Sequence, residues 1–331
     1  MKKMSLFLFA LLVALLFVGC SSEDESASIE TPTQTETPEE VQEAESTEDA
    51  EVAALENPIH GGLSRIEYNG NVAYLFGTMH AAMPHWFPLD ARVYEALARA
   101  DVLALEADMS PAGEAEMMAA MAEFLIPDEG QSAAELLSEE EFAAFVEILA
   151  EYGVDAVFVE MFAPWTLSIL SMEAVLSEVG LSAETGLEYY LIEVAADLPV
   201  IGLNEIAHEV ALLFGLSEEA QIAAARYFPS FDEAVVEMQE LLEAYKNQDV
   251  AALTALVRLE PTNALERYME DVVIIQRSIE FAQEVIRLLQ ETDEPTTFFV
   301  AVGIGHLVGD DHGNMLQYFI DAGFEVESLY R

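Results

Sequence analysis

The sequence predicts an α/β protein with a mainly parallel central sheet, flanking helices and a helical middle region that forms a cap or an insertion. Three runs, at 72–77, 101–106 and 297–303, are continuously apolar rather than alternating, which is typical of strands covered on both faces. Strands alternate with helices near both ends of the chain, whereas the middle carries apolar residues at helical spacing. These patterns favour a sheet packed between helices.

The predicted elements follow one another along residues 57–331, which are long enough for one sizeable domain or for two intimately joined halves. Strands are expected at 64–69, 72–77, 101–106, 198–202, 297–303 and 324–329. Helices are expected at 90–99, 114–124, 138–151, 162–179, 185–196, 205–213, 217–227, 230–245, 249–258, 262–290 and 312–322.

Two of the predicted strands end on the same short motif, Gly-x-x-His. The first motif runs from Gly77 to His80 and the second from Gly303 to His306, and a third strand ends in the carboxylate of Glu106. The carboxyl ends of parallel strands meet at one edge of a sheet, so His80, His306 and Glu106 are candidates for a compact metal or acid/base site. In a simpler interpretation, each imidazole only donates a hydrogen bond to a neighbouring carbonyl.

Residues 1–19 are predicted to be a lipoprotein signal peptide. Lys2 and Lys3 precede an apolar stretch at 6–18 that is short for a membrane span, and Cys20 follows. Cys20 is the single cysteine of the chain, which excludes an intrachain disulfide and thiolate metal ligands. We expect Cys20 to carry a lipid that anchors the protein on the extracytoplasmic side of a membrane in the cell envelope. The alternative is an ordinary secretory signal with an incidental cysteine.

Residues 20–56 are predicted to be an acidic, disordered tether. This segment is rich in Glu, Ser, Thr and Pro and contains no Lys or Arg. It can bury too little apolar surface to offset its ordering entropy, and its like charges repel one another. The segment would hold the domain away from the membrane surface.

The charge of the chain excludes one large class of partner. The sequence has 62 acidic and 12 basic residues, and 49 of the acidic and 10 of the basic residues lie from position 57 onward. Nucleic acid is not expected to bind, because phosphate neutralisation needs clustered Lys and Arg. An acidic surface with so few Lys is typical of proteins that stay soluble at high salt.

Several motifs taken together resemble the TraB/PrgY/GumN family, which is related to the animal Tiki proteases. They are Leu75-Phe-Gly-Thr-Met-His80, Phe87-Pro-Leu, Ala100-Asp-Val-Leu-Ala-Leu-Glu106, Glu184-Thr-Gly-Leu-Glu188, Leu198-Pro-Val-Ile-Gly-Leu203, Arg277 and Val302-Gly-Ile-Gly-His-Leu-Val-Gly309. The resemblance extends across nearly all of residues 58–329 and implies a sheet related to the erythromycin-esterase and ChaN-like folds. Residues 57–331 are therefore identified as a TraB/GumN-like domain.

The resemblance also implies a function. For the Tiki branch it implies a peptidase that depends on a divalent metal ion, manganese or cobalt, and the residues that would carry the activity fall here on His80, His306 and Glu106. PrgY-like members are associated with limiting peptide pheromone signals, so a peptide or small extracellular substrate is the expected partner.

Two positions depart from the family pattern. Many bacterial relatives have Gly-Leu-Glu after the middle strand, where this chain has Gly202-Leu-Asn204. They often have Arg-Asn on the penultimate helix, where this chain has Arg277-Ser278. The first departure would remove one possible carboxylate ligand.

The residues and the resemblance together predict metal-assisted hydrolysis. The cation would lower the pKa of a bound water and polarise a carbonyl. Glu188 is a candidate to accept the proton of that water, and Arg277 is a candidate to neutralise the oxyanion or to orient Glu106. In a simpler interpretation, Arg277 only pairs with one of the many Glu residues.

Two classes of function remain open from the sequence. The first is a surface-anchored, metal-dependent peptidase or related hydrolase. The second is a lipoprotein that binds and sequesters a peptide signal without turnover. A site that retains no metal would favour metal-free acid/base chemistry or binding.

Overall fold

The computed structural model describes residues 57–330 apart from 126, 128–129, 152–154, 182–185, 196, 227–229, 259–260 and 310–312. The predicted signal peptide, Cys20 and the predicted tether lie outside the described residues. The described residues form six strands in one sheet. The strands are β1 (Ser64–Tyr68), β2 (Asn71–Thr78), β3 (Val102–Leu105), β4 (Val200–Gly202), β5 (Thr297–Gly303) and β6 (Glu327–Ser328).

The other described elements are helices, and turns and loops connect them to the strands. The α-helices are α1 (Ala91–Leu97), α2 (Pro111–Leu125), α3 (Ala133–Leu136), α4 (Glu139–Glu151), α5 (Ala156–Val159), α6 (Pro164–Glu178), α7 (Leu187–Val194), α8 (Ile206–Phe214), α9 (Glu218–Arg226), α10 (Phe231–Lys246), α11 (Val250–Val257), α12 (Ala264–Tyr268), α13 (Arg277–Glu291) and α14 (Met315–Asp321). Short 3₁₀ helices cover Pro84–Trp86 and Ile304–His306. Among these described helices, none is long and apolar enough to cross a membrane.

The α/β class is confirmed, and the sheet is mixed. Its strand order is β4-β3-β5-β2-β1-β6. The first four strands are parallel, whereas β1 pairs antiparallel with both β2 and β6. The parallel part matches the continuous apolar runs, because β2 and β5 are almost completely buried along their length. In β1, by contrast, Ser64 and Ile66 are buried, Arg65 is half-buried, and Glu67 and Tyr68 are exposed.

The helical middle region has a small hydrophobic core of its own. This core is formed by Ala133, Leu137, Phe145, Leu149, Val159, Leu167 and Ala225, with partly buried neighbours packed around it. Other residues of α6, including Trp165 and Ile169, pack into the main core. Helix α6 therefore joins the predicted helical cap to the rest of the domain.

The structure differs from the prediction in the segment before β5. The single helix expected at 262–290 is divided into α12, a π-helical segment (Met269–Gln276) and α13. A π-helical turn takes more residues than an α-helical turn, so it changes which later residues face the sheet. Both Arg277 and Ser278, directly after the segment, are buried. The strand expected at 324–329 is also wrong in extent, since only Glu327–Ser328 pair with β1.

Helix α1 begins at a strong local cap. The Asp90 carboxylate accepts hydrogen bonds from the Arg92 backbone N–H at 2.9 Å and from the Arg92 guanidinium at 2.7 Å. The side-chain hydrogen bond from Arg92 lowers the pKa of Asp90 below 3.8. The stabilisation is therefore present above pH 3.8 and is lost as the pH falls through the lower folded value.

Replacing Asp90 with Ala is expected to lower the free energy of unfolding by about 1 kcal/mol at pH 7, because the cap and the ion pair are lost together. Urea unfolding measures this change. Glu95→Ala removes an exposed carboxylate from the same helix and is expected to stay within about 0.5 kcal/mol of the wild type. Equal losses in the two variants would contradict the role of the cap.

Candidate functional site

Four parallel strands end at the same edge of the sheet, and each is followed by a polar residue. His80 follows β2, Glu106 follows β3, His306 follows β5 and Asn204 follows β4. Nε2 of His306 lies 3.6 Å from Oε1 of Glu106, and the Glu106 charge also acts on His80. The structure therefore brings together His80, Glu106 and His306.

The glycine of the first motif is required by a close approach. A Cβ atom at Gly77 would lie 2.3 Å from Cδ1 of Ile304 and 3.0 Å from the carbonyl oxygen of Gly61. Since real Cβ atoms do not approach that closely, only glycine lets β2 pass beside the turn that carries His306.

Gly77→Ala is expected to destabilise the protein by about 1–3 kcal/mol through overpacking. The double variant Gly77→Ala, Ile304→Val removes the Cδ1 atom that is contacted first, so its loss should be smaller than the sum of the two single losses. Urea unfolding of the three variants tests this, and additive losses would show that the contact with Ile304 is not the cause.

His80 forms a buried pair with Glu188. Nδ1 of His80 lies 2.8 Å from Oε1 of Glu188, and the Thr78 hydroxyl donates a hydrogen bond to the same oxygen. The start of α7 is held against the His80 loop, because the Leu187 N–H donates to the Met79 carbonyl at 3.0 Å. This contact places Glu188 on the first turn of α7, facing the imidazole.

The protonation of His80 is set by two opposing effects. Burial disfavours the charged ring, but the Glu188 carboxylate, with a smaller contribution from Glu106, raises the pKa of His80 above 6.5. Within the described part of the chain, Nε2 of His80 is buried and has no hydrogen-bond partner. With Nδ1–H donated to Glu188, the neutral ring presents the lone pair of Nε2 to the site.

Glu106 is held by a buried ion network. Its Oε1 accepts a hydrogen bond from the Gly303 N–H at 2.7 Å, and its Oε2 lies 2.6 Å from Nη2 of Arg277. Arg277 also contacts Oε2 of Glu209, at 2.7 Å from Nη2 and 2.9 Å from Nε. Burial would raise the pKa of Glu106, but the Arg277 charge, followed by the electrostatic effects of the His306 and His80 rings, lowers it to about 2.

His306 is completely buried behind Glu106. Nδ1 lies 2.8 Å from the Ser278 hydroxyl, Nε2 lies 3.5 Å from Nη1 of Arg277, and the ring packs edge-on against Phe281. Burial, with Arg277 nearby, lowers the pKa of His306 to about 3 against the opposing effect of Glu106. His306 is therefore a neutral ring at physiological pH.

The site has two layers. The side chains of His80 and Glu106 keep 10% and 11% of their surface exposed, whereas Arg277, Glu209 and His306 are buried beneath them. His80 and Glu106 therefore form the outer layer, with Nε2 of His80 itself buried, and the lower layer fixes their charge and position. Of the two roles predicted for Arg277, the contact with Glu106 favours orientation of that carboxylate.

The sequence reasoning missed Glu209, Thr78 and Ser278. Glu209 on α8 is one of 62 acidic residues, and no local pattern marks it as the partner of Arg277. The departure at Asn204 lies next to it, since Nδ2 of Asn204 donates to Oε1 of Glu209 at 2.5 Å. This middle region does contribute a carboxylate to the site, through Glu209.

The metal ion implied by the resemblance can be tested against these contacts. The donor types fit a divalent cation, and the buried Nε2 of His80 has no hydrogen-bond partner among the described residues. However, both oxygens of Glu106 already accept hydrogen bonds, and Nε2 of His306 faces the Arg277 guanidinium. Among the described residues, no three His, Cys, Asp or Glu side chains are grouped so that they could hold a metal. As arranged, His80, His306 and Glu106 do not fit a metal ion held by all three.

The structure thus defines a mixed α/β protein with imidazole–carboxylate pairs at the carboxyl edge of its parallel strands. The chain belongs to the TraB/PrgY/gumN family, whose model matches residues 62–328. It is 23% identical over 252 residues to a Shigella flexneri protein named "Uncharacterized protein YbaP", covering 74% of this chain and 86% of that protein. The Escherichia coli K12 protein of the same name is 23% identical over 251 residues, with the same coverage. No solved structure matches the chain.

Proposed function

We propose that this chain is a hydrolase that uses His80 as a general base and acts on a peptide or another small extracellular substrate. The observation that carries the proposal is the buried His80 ring, whose Nδ1 is paired with Glu188 and whose Nε2 has no partner among the described residues. A histidine oriented by a carboxylate on one nitrogen, with the other nitrogen free, is the arrangement that general-base catalysis requires.

In the proposed reaction, Nε2 of His80 removes a proton from a water molecule as the water oxygen attacks the carbonyl carbon of the substrate. The Glu188 carboxylate stabilises the imidazolium that forms. The C–N bond of the tetrahedral intermediate then breaks, and the imidazolium returns its proton to the leaving amine. The products are a carboxylic acid and an amine, and His80 is neutral again.

Glu106 supports this reaction as a fixed negative charge at the surface of the site. A carboxylate oxygen can accept a second hydrogen bond, so Glu106 can orient the attacking water by accepting a hydrogen bond from its other O–H, which stays on the oxygen. The Arg277 and Gly303 contacts hold the carboxylate in place for that role.

The proposed mechanism uses no metal ion, and the manganese or cobalt dependence implied by the resemblance stays a prediction. We further propose, from the predicted signal peptide and Cys20, that the protein works at the cell envelope, lipid-anchored on the extracytoplasmic side of a membrane. A peptide outside the cell would then have direct access to it.

The test compares the full-length wild type with the His80→Gln variant on a peptide library, with products read by mass spectrometry. Metal content is measured on the same samples by plasma mass spectrometry after manganese loading and desalting. Cleavage by metal-free wild type that is lost in His80→Gln supports the proposal. Cleavage that needs stoichiometric metal would overturn the metal-free mechanism, and stoichiometric peptide binding without cleavage would favour the sequestering function instead.

A further inference from the structure

A cavity of about 230 Å³ lies beside the turn that carries His306 and is separate from the His80–Glu188 pair. Its walls come from α10, α11, α14, the Ile304–His306 turn and the segment at His60. Ile304 and Tyr245 line it, while Ile304 packs against Gly77 and the Tyr245 hydroxyl donates to the Gly77 carbonyl at 2.7 Å. The cavity therefore shares a wall with the candidate site.

The described lining of this cavity contains no charged residues, although the chain as a whole is strongly acidic. The protein carries 62 acidic and 12 basic residues, yet the residues that line the cavity include no Asp, Glu, Lys or Arg among those described. The lining includes the imidazole of His60, and burial, followed by the nearby Arg92, lowers its pKa against the opposing effect of Asp90. A charged occupant would lose part of its hydration here, and the described lining residues would supply no ionic partner of their own.

The Gln248 and Asn314 side chains of the lining are paired within the protein. Gln248 accepts from the His60 N–H at 2.8 Å and donates to the Pro58 carbonyl at 3.2 Å. Asn314 donates to the Gly309 carbonyl at 2.7 Å and accepts from the Gln317 N–H at 2.8 Å. These amides shape the cavity but do not require a polar ligand.

The remaining walls are apolar and partly flat. The His60 and Tyr330 rings stack with their centroids 4.2 Å apart and their planes 12° apart, which gives one planar wall. Leu253, Ile304 and Leu307 supply buried apolar surface. Val250 and Ile320 also line the cavity, and each leaves about half of its surface exposed, at 51%. An apolar cavity that opens between exposed aliphatic residues is the kind of surface that binds small ligands.

We propose that this cavity binds a neutral, apolar small molecule with a planar ring of about the size of indole. This inference goes beyond the proposed hydrolase function, and binding is measured without any turnover. Apolar cavities of this order of size bind small aromatic molecules when those molecules can enter.

The test is isothermal titration of the full-length protein with three probes that share one ring: neutral indole, anionic indole-3-acetate and cationic tryptamine. We expect saturable binding of one indole per chain, and affinities lower by about tenfold or more for both charged probes, because neither charge finds a partner in the lining. Equal binding of all three probes, or no binding of indole, would overturn the proposal.

Two rim variants and one matched control locate the binding. Val250→Trp and Ile320→Trp place a large side chain at exposed positions of the lining and are expected to weaken indole binding by about tenfold or more. Val236→Trp makes the same change at a residue of α10 that is 50% exposed and does not line the cavity, and it should leave binding unchanged. Urea unfolding confirms that each variant is folded. An equal loss in Val236→Trp would show that indole binds elsewhere and would overturn the assignment.

One further variant separates an external ligand from the chain itself. The apolar residues Val52 and Leu55 precede Asn57 in the sequence and are candidates to fill the same cavity. Indole binding that appears only after Val52→Glu and Leu55→Glu would show that this segment is the occupant, and it would overturn the proposal of an external ligand.

Discussion

His80→Gln is expected to lower kcat by about 10²–10⁴-fold on any substrate that the wild type cleaves, since the amide cannot accept the proton of the attacking water. Steady-state kinetics on the first peptide found in the library gives this ratio. KM should change little, because the free Nε2 acts on the water and not on the bound substrate. A change in KM with unchanged kcat would contradict the role of His80 as the base.

The pH profile gives a second readout of the same pair. The base is active when neutral, and Glu188 favours the charged ring, so kcat/KM of the wild type should rise with pH through an apparent pKa above 6.5. In Glu188→Gln the negative charge is gone and burial acts with less opposition, so the midpoint should move to lower pH while the maximal rate falls. An unchanged midpoint would show that Glu188 does not set the pKa of His80.

His208 supplies the matched control for these variants. Nε2 of His208 lies 3.0 Å from Oε2 of Glu280, so it is also a histidine–carboxylate pair, but its side chain is 46% exposed. His208→Gln is expected to leave kcat and the pH profile unchanged. A comparable loss in this variant would mean that general surface charge, and not the buried pair, controls the rate.

Arg277→Met is expected to lower the free energy of unfolding by about 3–5 kcal/mol, because it leaves the carboxylates of Glu106 and Glu209 buried without their shared cation. Urea unfolding at constant ionic strength measures this loss. Arg287→Met removes an arginine that is 50% exposed and paired with Glu284 and Glu291, and its cost should be within about 1 kcal/mol. Similar losses in the two variants would contradict a special role for the buried network.

A double variant tests whether the loss of stability in Arg277→Met arises from the unpaired carboxylates. Glu209→Gln in the Arg277→Met background removes one of the two unpaired charges, so this variant should be more stable than Arg277→Met alone. In the wild-type background the same Glu209→Gln change should destabilise, because it breaks the pair. An equal effect in both backgrounds would show that Glu209 and Arg277 are not coupled.

The network also predicts the acid side of the stability curve. The pKa of Glu106 is lowered from 4.5 to about 2. Its contribution to the stability of the fold is therefore present above pH 4.5 and is lost as the pH falls toward 2. Arg277→Met removes the charge that contributes most to the lowered pKa. The decrease in the free energy of unfolding at acid pH should therefore be smaller in this variant than in the wild type. Urea unfolding between about pH 5 and pH 2.5 measures this. The free energies of unfolding of the wild type and Arg277→Met are expected to approach each other as the pH falls over about this range.

The outline of the fold could be predicted from local patterns. The runs that became β2, β3 and β5 are continuously apolar because both faces of the parallel strands are covered, and this signal needs no knowledge of the neighbours. The π-helical segment could not be predicted in this way, since residues 262–290 carry an ordinary helical spacing of apolar residues. This segment lies directly before Arg277 and Ser278, which are both buried.

The sequence by itself determined the α/β class, the family, and the two Gly-x-x-His motifs and Glu106 at the strand ends, because apolar periodicity and motif spacing are local properties of the chain. Only the tertiary structure decided that Glu188 pairs with His80, that Glu209 shares Arg277 with Glu106, and that a cavity without Asp, Glu, Lys or Arg in its described lining lies behind the site. The physical reason is that any of 62 acidic residues can pair with a given cation, and the choice depends on which side chains folding buries together.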